Sequence, residues 1–252
     1  MPHLLDGARA LVTGAGRGIG TRIALHLADE GAHVALAYRH SKEGAETTAQ
    51  AIRANGGVAA TFAADLTNEN EARRLVDEAV GALGGLDILV NNAAGFGPLK
   101  RLDESGWDDL EAEWQAVVRP VFVLTRAALP RLVQSERGGR IVNLAATLLQ
   151  RPAPGYGAHA MAKAAVLAFT RTLAREVGPQ NVTVNAVSPG MTLTEFSQGL
   201  PEEEKKAVAA RTPLRRLAAP DDVAGAVVFF CSPLAGFVTG ANVAPDGGLA
   251  VL

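Results

Sequence analysis

The run Thr13–Gly20, TGAGRGIG, stands directly after one short apolar stretch and opens a longer amphipathic one. Glycines allow a backbone to turn tightly and approach a pyrophosphate. The first turn of a following helix then offers unpaired N–H groups and a partial positive charge to that anion. A glycine triplet alone is as easily a tight turn, and its position between a strand and a helix is what points to a nucleotide. Charge selects which nucleotide. Sites that read a free ribose commonly place a carboxylate at the end of the second strand. This chain has Tyr38 there, eighteen residues past Gly20, followed by Arg39. Arg17 adds a second guanidinium inside the glycine run. Two guanidiniums and no carboxylate suit a 2′-phosphate, which a guanidinium grips through paired hydrogen bonds, so the expected cofactor is NADP(H). Without a ligand the same residues would be two solvated arginines.

The elements that must position this run follow from hydrophobic pattern. Short apolar stretches alternate with longer amphipathic ones from end to end, which is the signature of parallel βαβ units. Strands are expected near Ala8–Thr13, His33–Tyr38, Val58–Ala63, Leu86–Asn91, Arg140–Ala145, Val182–Val187 and Asn242–Pro245. Helical patterns lie between them, among them Ile19–Glu30, Glu43–Asn55, Glu69–Leu83 and Met161–Val177. Seven strands joined by crossover helices make an α/β fold, a Rossmann-type doubly wound parallel sheet, as a single domain spanning residues 1–252. The segment Gly190–Leu217 mixes Gly, Pro and Thr around the charged run Glu202–Lys206. That run reads as a solvated helix face, and the whole segment as a lid over a substrate cleft.

Composition removes other function classes. The chain is 48% hydrophobic and 20% charged, an ordinary globular balance, and its net charge of −2 gives no general attraction for nucleic acid or anionic membranes. No apolar run approaches the ~20 residues of a membrane helix, and the N-terminal segment lacks a signal-peptide pattern. Cys231 is the only cysteine, which excludes an internal disulfide and a cysteine-rich metal site. The expectation is a cytoplasmic protein with no metal, no nucleic-acid partner and no membrane association.

With these elements in order, the chain resembles the short-chain dehydrogenase/reductase family across almost its whole length. Gly14, Gly18 and Gly20 match the Thr-Gly-x-x-x-Gly-x-Gly signature, and Asp65 in AADLTN resembles the residue that meets the adenine ring. Asn91 and Asn92 in NNAA resemble the Asn-Asn-Ala-Gly segment, with Ala94 in place of the glycine. Ser188–Thr194 resembles the Pro-Gly segment at the nicotinamide end, and Thr239–Gly248 the C-terminal strand. The resemblance implies cofactor contacts from Gly14, Arg17, Gly18, Ile19, Gly20, Tyr38, Arg39, Asp65, Leu66, Asn92, Ala93, Lys163, Pro189, Gly190, Thr192 and Thr194. The overall pattern is similar to 3-oxoacyl-carrier-protein reductases.

The family's catalytic pattern is only partly present. It calls for a tyrosine four residues before a lysine, a serine thirteen residues before the tyrosine, and an asparagine on an earlier helix. Lys163, followed by Ala164, Ala165 and Val166, matches the lysine, but His159 stands at the tyrosine position and Ala146 at the serine position. Counting back from Thr125–Pro130 puts the asparagine position near Val117. Thr147 adjoins Ala146 but points the other way on an extended segment. Tyr156 lies two helical turns from Lys163 and reads as a brace ahead of the helix. His159 is the remaining candidate acid: imidazole is a competent proton donor near neutral pH, and Lys163 lowers its pKa by like-charge repulsion. Equally, it is a histidine filling the vacated site and bonding locally. Loss of the usual acid and oxyanion donor together costs about 10⁴–10⁷ in rate, short of strict additivity.

Three functions fit this pattern. One is an NADP(H)-dependent oxidoreductase acting on a small or carrier-bound ketone or alcohol through His159 and Lys163. Another is a non-catalytic nucleotide-binding subunit partnering an active homologue, and the third is a cleft turned to non-redox chemistry such as cyclisation. The family resemblance implies a homotetramer or dimer, or a hetero-oligomer with that homologue, built on helices about Trp107–Val133 and Tyr156–Val177. Ala160, Ala164 and Ala168 on the second suit close helix packing or a core face. Pro120 predicts a kink at Arg119–Pro120 that frees the Ala116 carbonyl to hold a water leading to Lys163.

Overall fold

The computed structural model describes residues 3–250, apart from Phe96 and the side chain of Phe196. The strands are β1 (Arg9–Thr13), β2 (His33–Tyr38), β3 (Ala59–Ala63), β4 (Ile88–Asn91), β5 (Gly139–Leu144), β6 (Val182–Val187) and β7 (Asn242–Val243). They form one sheet in the order β3-β2-β1-β4-β5-β6-β7, and every pairing is parallel. The inner strands carry apolar side chains on both faces because helices cover both. Helices α1 (Gly18–Asp29), α2 (Lys42–Ala54) and α9 (Pro220–Cys231) lie on one side, and α3 (Glu69–Leu83), α5 (Arg119–Leu132) and α6 (Gly157–Val177) on the other. The expected doubly wound α/β sheet is therefore the fold of this chain.

Chain order reverses between β1 and β4, so the segments leaving their carboxyl ends turn to opposite faces of the sheet and leave a crevice between them. The glycine run leaves β1 at that crevice and enters α1. Asn92 leaves β4 there too.

The differences from expectation lie at element ends and within one long helix. β7 is only two residues, stopping before Pro245, which has no N–H for a ladder. Trp107–Val133 is not one helix. It comprises α4 (Trp107–Glu113), a π-helical turn at Trp114–Val118, and α5. The Arg119 N–H donates to Trp114 O, five residues back, where a regular helix would reach four. The distortion thus precedes the Arg119–Pro120 pair instead of falling on it.

The segment beyond β6 contains a short helix, α7 (Glu195–Gln198), and α8 (Glu202–Arg211). α8 buries none of its residues, as expected of a solvated charged face. No described helix is long and apolar enough to cross a membrane.

One polar chain crosses the interior beneath the crevice. Asn91 and Asn143 are register partners on β4 and β5. Asn91 Nδ2 donates to Asn143 Oδ1 at 2.8 Å and to Thr125 Oγ1 at 3.0 Å, and Asn143 Nδ2 donates to Thr170 Oγ1 at 2.9 Å. All four residues are buried.

Candidate active site and nucleotide cradle

The glycine run is held from below by Thr13 and Asn92. The Asn92 and Ala93 N–H groups both donate to Thr13 Oγ1, at 3.0 and 2.9 Å, and Asn92 Nδ2 donates to Thr13 O at 2.8 Å. Gly14 and Gly18 have φ of +63° and +54°, a region costly for any residue with a Cβ. Gly20 is required for a different reason: a Cβ there would sit 2.2 Å from Gly14 O and 2.6 Å from Asn92 Nδ2. Gly20→Ala is accordingly expected to cost about 1–3 kcal/mol of stability, read as a lowered urea midpoint. An unchanged midpoint would show that the loop has slack. Arg17 is the exposed residue at the N-terminus of α1, and Ile19 packs inward against the core. These features fit a pyrophosphate cradle.

At the carboxyl ends of β2 and β3, Tyr38 closes β2 and Arg39 pairs with Asp65 at 2.9 Å. The sequence places no carboxylate at the end of β2, yet the fold supplies one to Arg39 from the segment after β3. The fold brings them together because β2 and β3 are parallel neighbours whose carboxyl ends emerge side by side. Partial burial works against the charge on Asp65, but the Thr67 hydroxyl and N–H, with Arg39 and His40 nearby, outweigh it and hold its pKa below the usual range. Leu66, next in the chain, is buried.

Beyond β6, Pro189 O accepts from both the N–H and the hydroxyl of Thr147 at 3.3 Å. Thr147 therefore braces the Pro-Gly segment, consistent with a hydroxyl that does not replace the one Ala146 lacks. Gly190 approaches Asp246 so closely that a Cβ would lie 2.9 Å from its Cβ. Thr192 is buried and donates to Gly190 O at 3.0 Å, while it bridges to Ala218. Thr194 and Glu195 lie over the start of α1, each 3.3 Å from where a Cβ on Gly18 would stand. The segment proposed as a lid thus begins against the cradle.

His159 and Lys163 are one turn apart on α6, and both are buried. Lys163 Nζ donates to Leu144 O, the last residue of β5, at 2.8 Å. Burial pushes the Lys163 pKa down to about 8, against the opposing pull of the Glu113 charge. Burial also lowers the His159 pKa, with Lys163 adding to the effect and Glu113 opposing it. Like-charge repulsion from Lys163 is therefore real but second to desolvation.

Sequence reading missed Glu113. This carboxylate, the last residue of α4, is buried, and its Oε2 lies 2.9 Å from His159 Nδ1. Its Oε1 accepts from the Gly97 N–H at 2.6 Å. Glu113 ends the charged stretch DDLEAE, in which nothing local marks it out from its acidic neighbours. The available signal was Pro120, which requires a helix distortion and so a change in which side chains point inward.

That distortion does not leave Ala116 O for a water. The carbonyl accepts from the Gly95 N–H at 3.1 Å, so a backbone donor stands where a water leading to Lys163 was expected. Val117, at the asparagine position, is fully buried in an apolar cluster with Val121, Ala162 and Val166. Tyr156 is half-buried just ahead of α6, and burial with the nearby Glu204 charge pushes its phenol pKa up. Ala160 and Ala164 are partly exposed and Ala168 is exposed, so their stripe is not a core face. Among the described residues no group of His, Cys, Asp and Glu could hold a metal.

Comparison with known proteins agrees with this geometry. Residues 14–250 match a family model described as enoyl-(acyl carrier protein) reductase. An uncharacterised oxidoreductase of Mycobacterium tuberculosis is 40% identical over 247 residues, covering 97% of this chain and 93% of that protein. A 3-oxoacyl-[acyl-carrier-protein] reductase of Staphylococcus aureus is 36% identical, covering 95% of this chain and 97% of its own length. Among solved structures, a short-chain dehydrogenase from Burkholderia cenocepacia in complex with NADP superposes with a TM-score of 0.89 at 39% identity, covering 98% of this chain and 99% of that one. Sheet order, glycine cradle and relatives agree: the chain belongs to the short-chain dehydrogenase/reductase family of oxidoreductases.

Proposed function

We propose that this protein is an NADP(H)-dependent oxidoreductase that interconverts a carbonyl and an alcohol, with His159 exchanging the proton and Lys163 as its charged neighbour. The observation that carries this reading is the pair itself. His159 and Lys163 are buried together on one face of α6, with Lys163 anchored on the end of β5. A lysine that pays desolvation to stay there has a use for its charge. A bound NADP(H) brings a hydride donor or acceptor. Gly14, Gly18, Gly20, Asn92 and Ala93 would hold its pyrophosphate end, and Lys163 with Pro189, Gly190, Thr192 and Thr194 its nicotinamide end. In reduction the imidazolium of His159 would protonate the alkoxide oxygen, and in oxidation the neutral ring would take the hydroxyl proton.

Relatives named for 3-oxoacyl groups on a carrier protein make a carrier-bound or free ketone the substrate class to try first. The small-residue stripe of α6, off the core, supports assembly of copies through this helix. The same reading takes the location of this activity as the cytoplasm.

A second reading has one observation behind it. Val117 is sealed among Val121, Ala162 and Val166, so the family's relay position is apolar, as befits a nucleotide-binding subunit that has lost turnover. Measuring NADPH and NADH binding by fluorescence, then turnover over a panel of ketones and 3-oxoacyl thioesters, separates the two. Binding without turnover removes the first reading.

The same titrations test the cofactor preference. NADPH is expected to bind at least about tenfold more tightly than NADH, since a charge-assisted contact contributes about 1.5–3 kcal/mol when unopposed. Asp65 competes for Arg39 in the free protein, which keeps the expectation at the low end. Arg39→Ala should erase most of the difference. Equal affinities in the unmodified protein would show that the phosphate is not read.

A further inference from the structure

We infer that Glu113 is a positioning residue for His159: it holds the neutral imidazole proton on Nδ1 and so makes Nε2 the nitrogen that exchanges protons with substrate. The inference rests on the reading of His159 as the acid–base group, and it adds a residue for which the family pattern has no place. Geometry carries it. An ionised carboxylate can only accept, so its 2.9 Å contact to Nδ1 puts the hydrogen on that nitrogen, whichever charge state the ring is in. Both groups are buried, where an ill-matched pair would be costly and a matched one is held firmly.

The carboxylate is itself fixed from its other oxygen. Gly97 N–H donates to Oε1, and a Cβ on Gly97 would come within 2.9 Å of that atom, so any larger residue would have to push the carboxylate aside. Two residues earlier, Gly95 N–H docks on Ala116 O, and a Cβ on Gly95 would lie 2.7 Å from the Ala116 Cβ. The loop after β4 is thus clamped at two points to the region where α4 gives way to the π-helical turn. The turn, Pro120 and the two glycines act together to deliver one carboxylate to one ring nitrogen.

Gly97 also makes the inference testable by an isosteric change. In Glu113→Gln the Gly97 N–H still donates to an oxygen at the Oε1 position, so the amide carbonyl must take that place. The amide NH₂ must then face His159, and Nδ1 must become an acceptor with its proton moved to Nε2. Nitrogen-15 spectra of histidine-labelled full-length protein, recorded where His159 is neutral, are expected to show Nδ1–H in the unmodified chain and Nε2–H in Glu113→Gln. With a reducible ketone and NADPH, kcat should fall by up to about 10⁴-fold, the scale of a wrong tautomer in a serine protease triad, with KM moving less than about threefold.

The same tautomer in both proteins overturns the inference whatever the activity. A reversed tautomer with unchanged kcat upholds the assignment of the proton and overturns the acid–base reading of His159 instead. Should Glu113→Gln fail to fold, Gly97→Ala displaces the carboxylate by crowding Oε1. It is expected to give a mixture of the two tautomers, and a pure Nδ1–H form there would overturn the inference.

Discussion

Replacing His159 with alanine is expected to lower kcat for ketone reduction with NADPH by about 10²–10⁴-fold, the usual contribution of one positioned acid–base group. NADPH affinity should change little, because the cradle of Gly14, Gly18, Gly20 and Asn92 lies on other elements. The converse experiment restores the family pattern through Ala146→Ser with His159→Tyr, which is expected to raise or create ketone reductase activity. Glu113 limits that gain. Its carboxylate lies within 2.9 Å of the present ring, and beside a phenol it would disfavour the phenolate that the lysine is meant to favour. A triple variant that adds Glu113→Gln should therefore exceed the double one. If His159→Ala retains full turnover, the proton comes from elsewhere. If a folded, NADPH-binding triple variant stays inert, the substrate cleft has itself diverged.

The second large effect is on stability, and its sign follows from Lys163. The folded pKa of about 8 lies below the model value of 10.5, so between those values the unfolded chain binds more protons than the folded one. Stability contributed by this group is complete above pH 10.5, falls as pH drops through about 8, and is constant below. The difference of about 2.5 pH units corresponds to roughly 3 kcal/mol. Urea unfolding of the protein and of Lys163→Met, at matched pH from neutral to 10.5, isolates this term because other titrations cancel in the difference. The native chain should gain about 3 kcal/mol on the variant across that window. A flat difference would mean that folded Lys163 keeps its proton to as high a pH as the unfolded chain does, so that burial does not depress its pKa. At neutral pH the two should be closer, since methionine removes a desolvation cost but leaves Leu144 O without its donor.

Legibility varied with the kind of information each element carries. α3 matched its expected limits, Glu69–Leu83, because both ends are written locally: Asn68 accepts from the Asn70 and Glu71 N–H groups, and Gly84 takes a φ of 77°. β6 also matched, as an apolar run buried along most of its length. The nucleotide cradle was legible because glycine types, spacing and flanking elements all sit within one stretch of chain. That His159 and Lys163 lie one turn apart on one helix was legible from the family pattern anchored on Lys163. Glu113 and the Arg39–Asp65 pair were not, because each depends on a meeting of separate elements. An acidic residue within a charged run looks solvated until a distorted turn rotates it inward. Likewise, the end of β2 meets the end of β3 only once the sheet is assembled.

The buried Asn91–Asn143 pair bears on how the sheet finds its alignment. Strands apolar on both faces offer no alternation of greasy and polar positions, so sliding one along its neighbour exchanges one apolar contact for another at little cost. Two amides at facing positions remove that degeneracy. In the native alignment Asn91 and Asn143 satisfy each other and the Thr125 and Thr170 hydroxyls. A slip of one residue between β4 and β5 would strand these groups in the interior, where an unmet polar group costs about 1–3 kcal/mol. The polar chain therefore acts as a vernier: it marks the single offset at which β4 and β5, and the crevice at their ends, come into line.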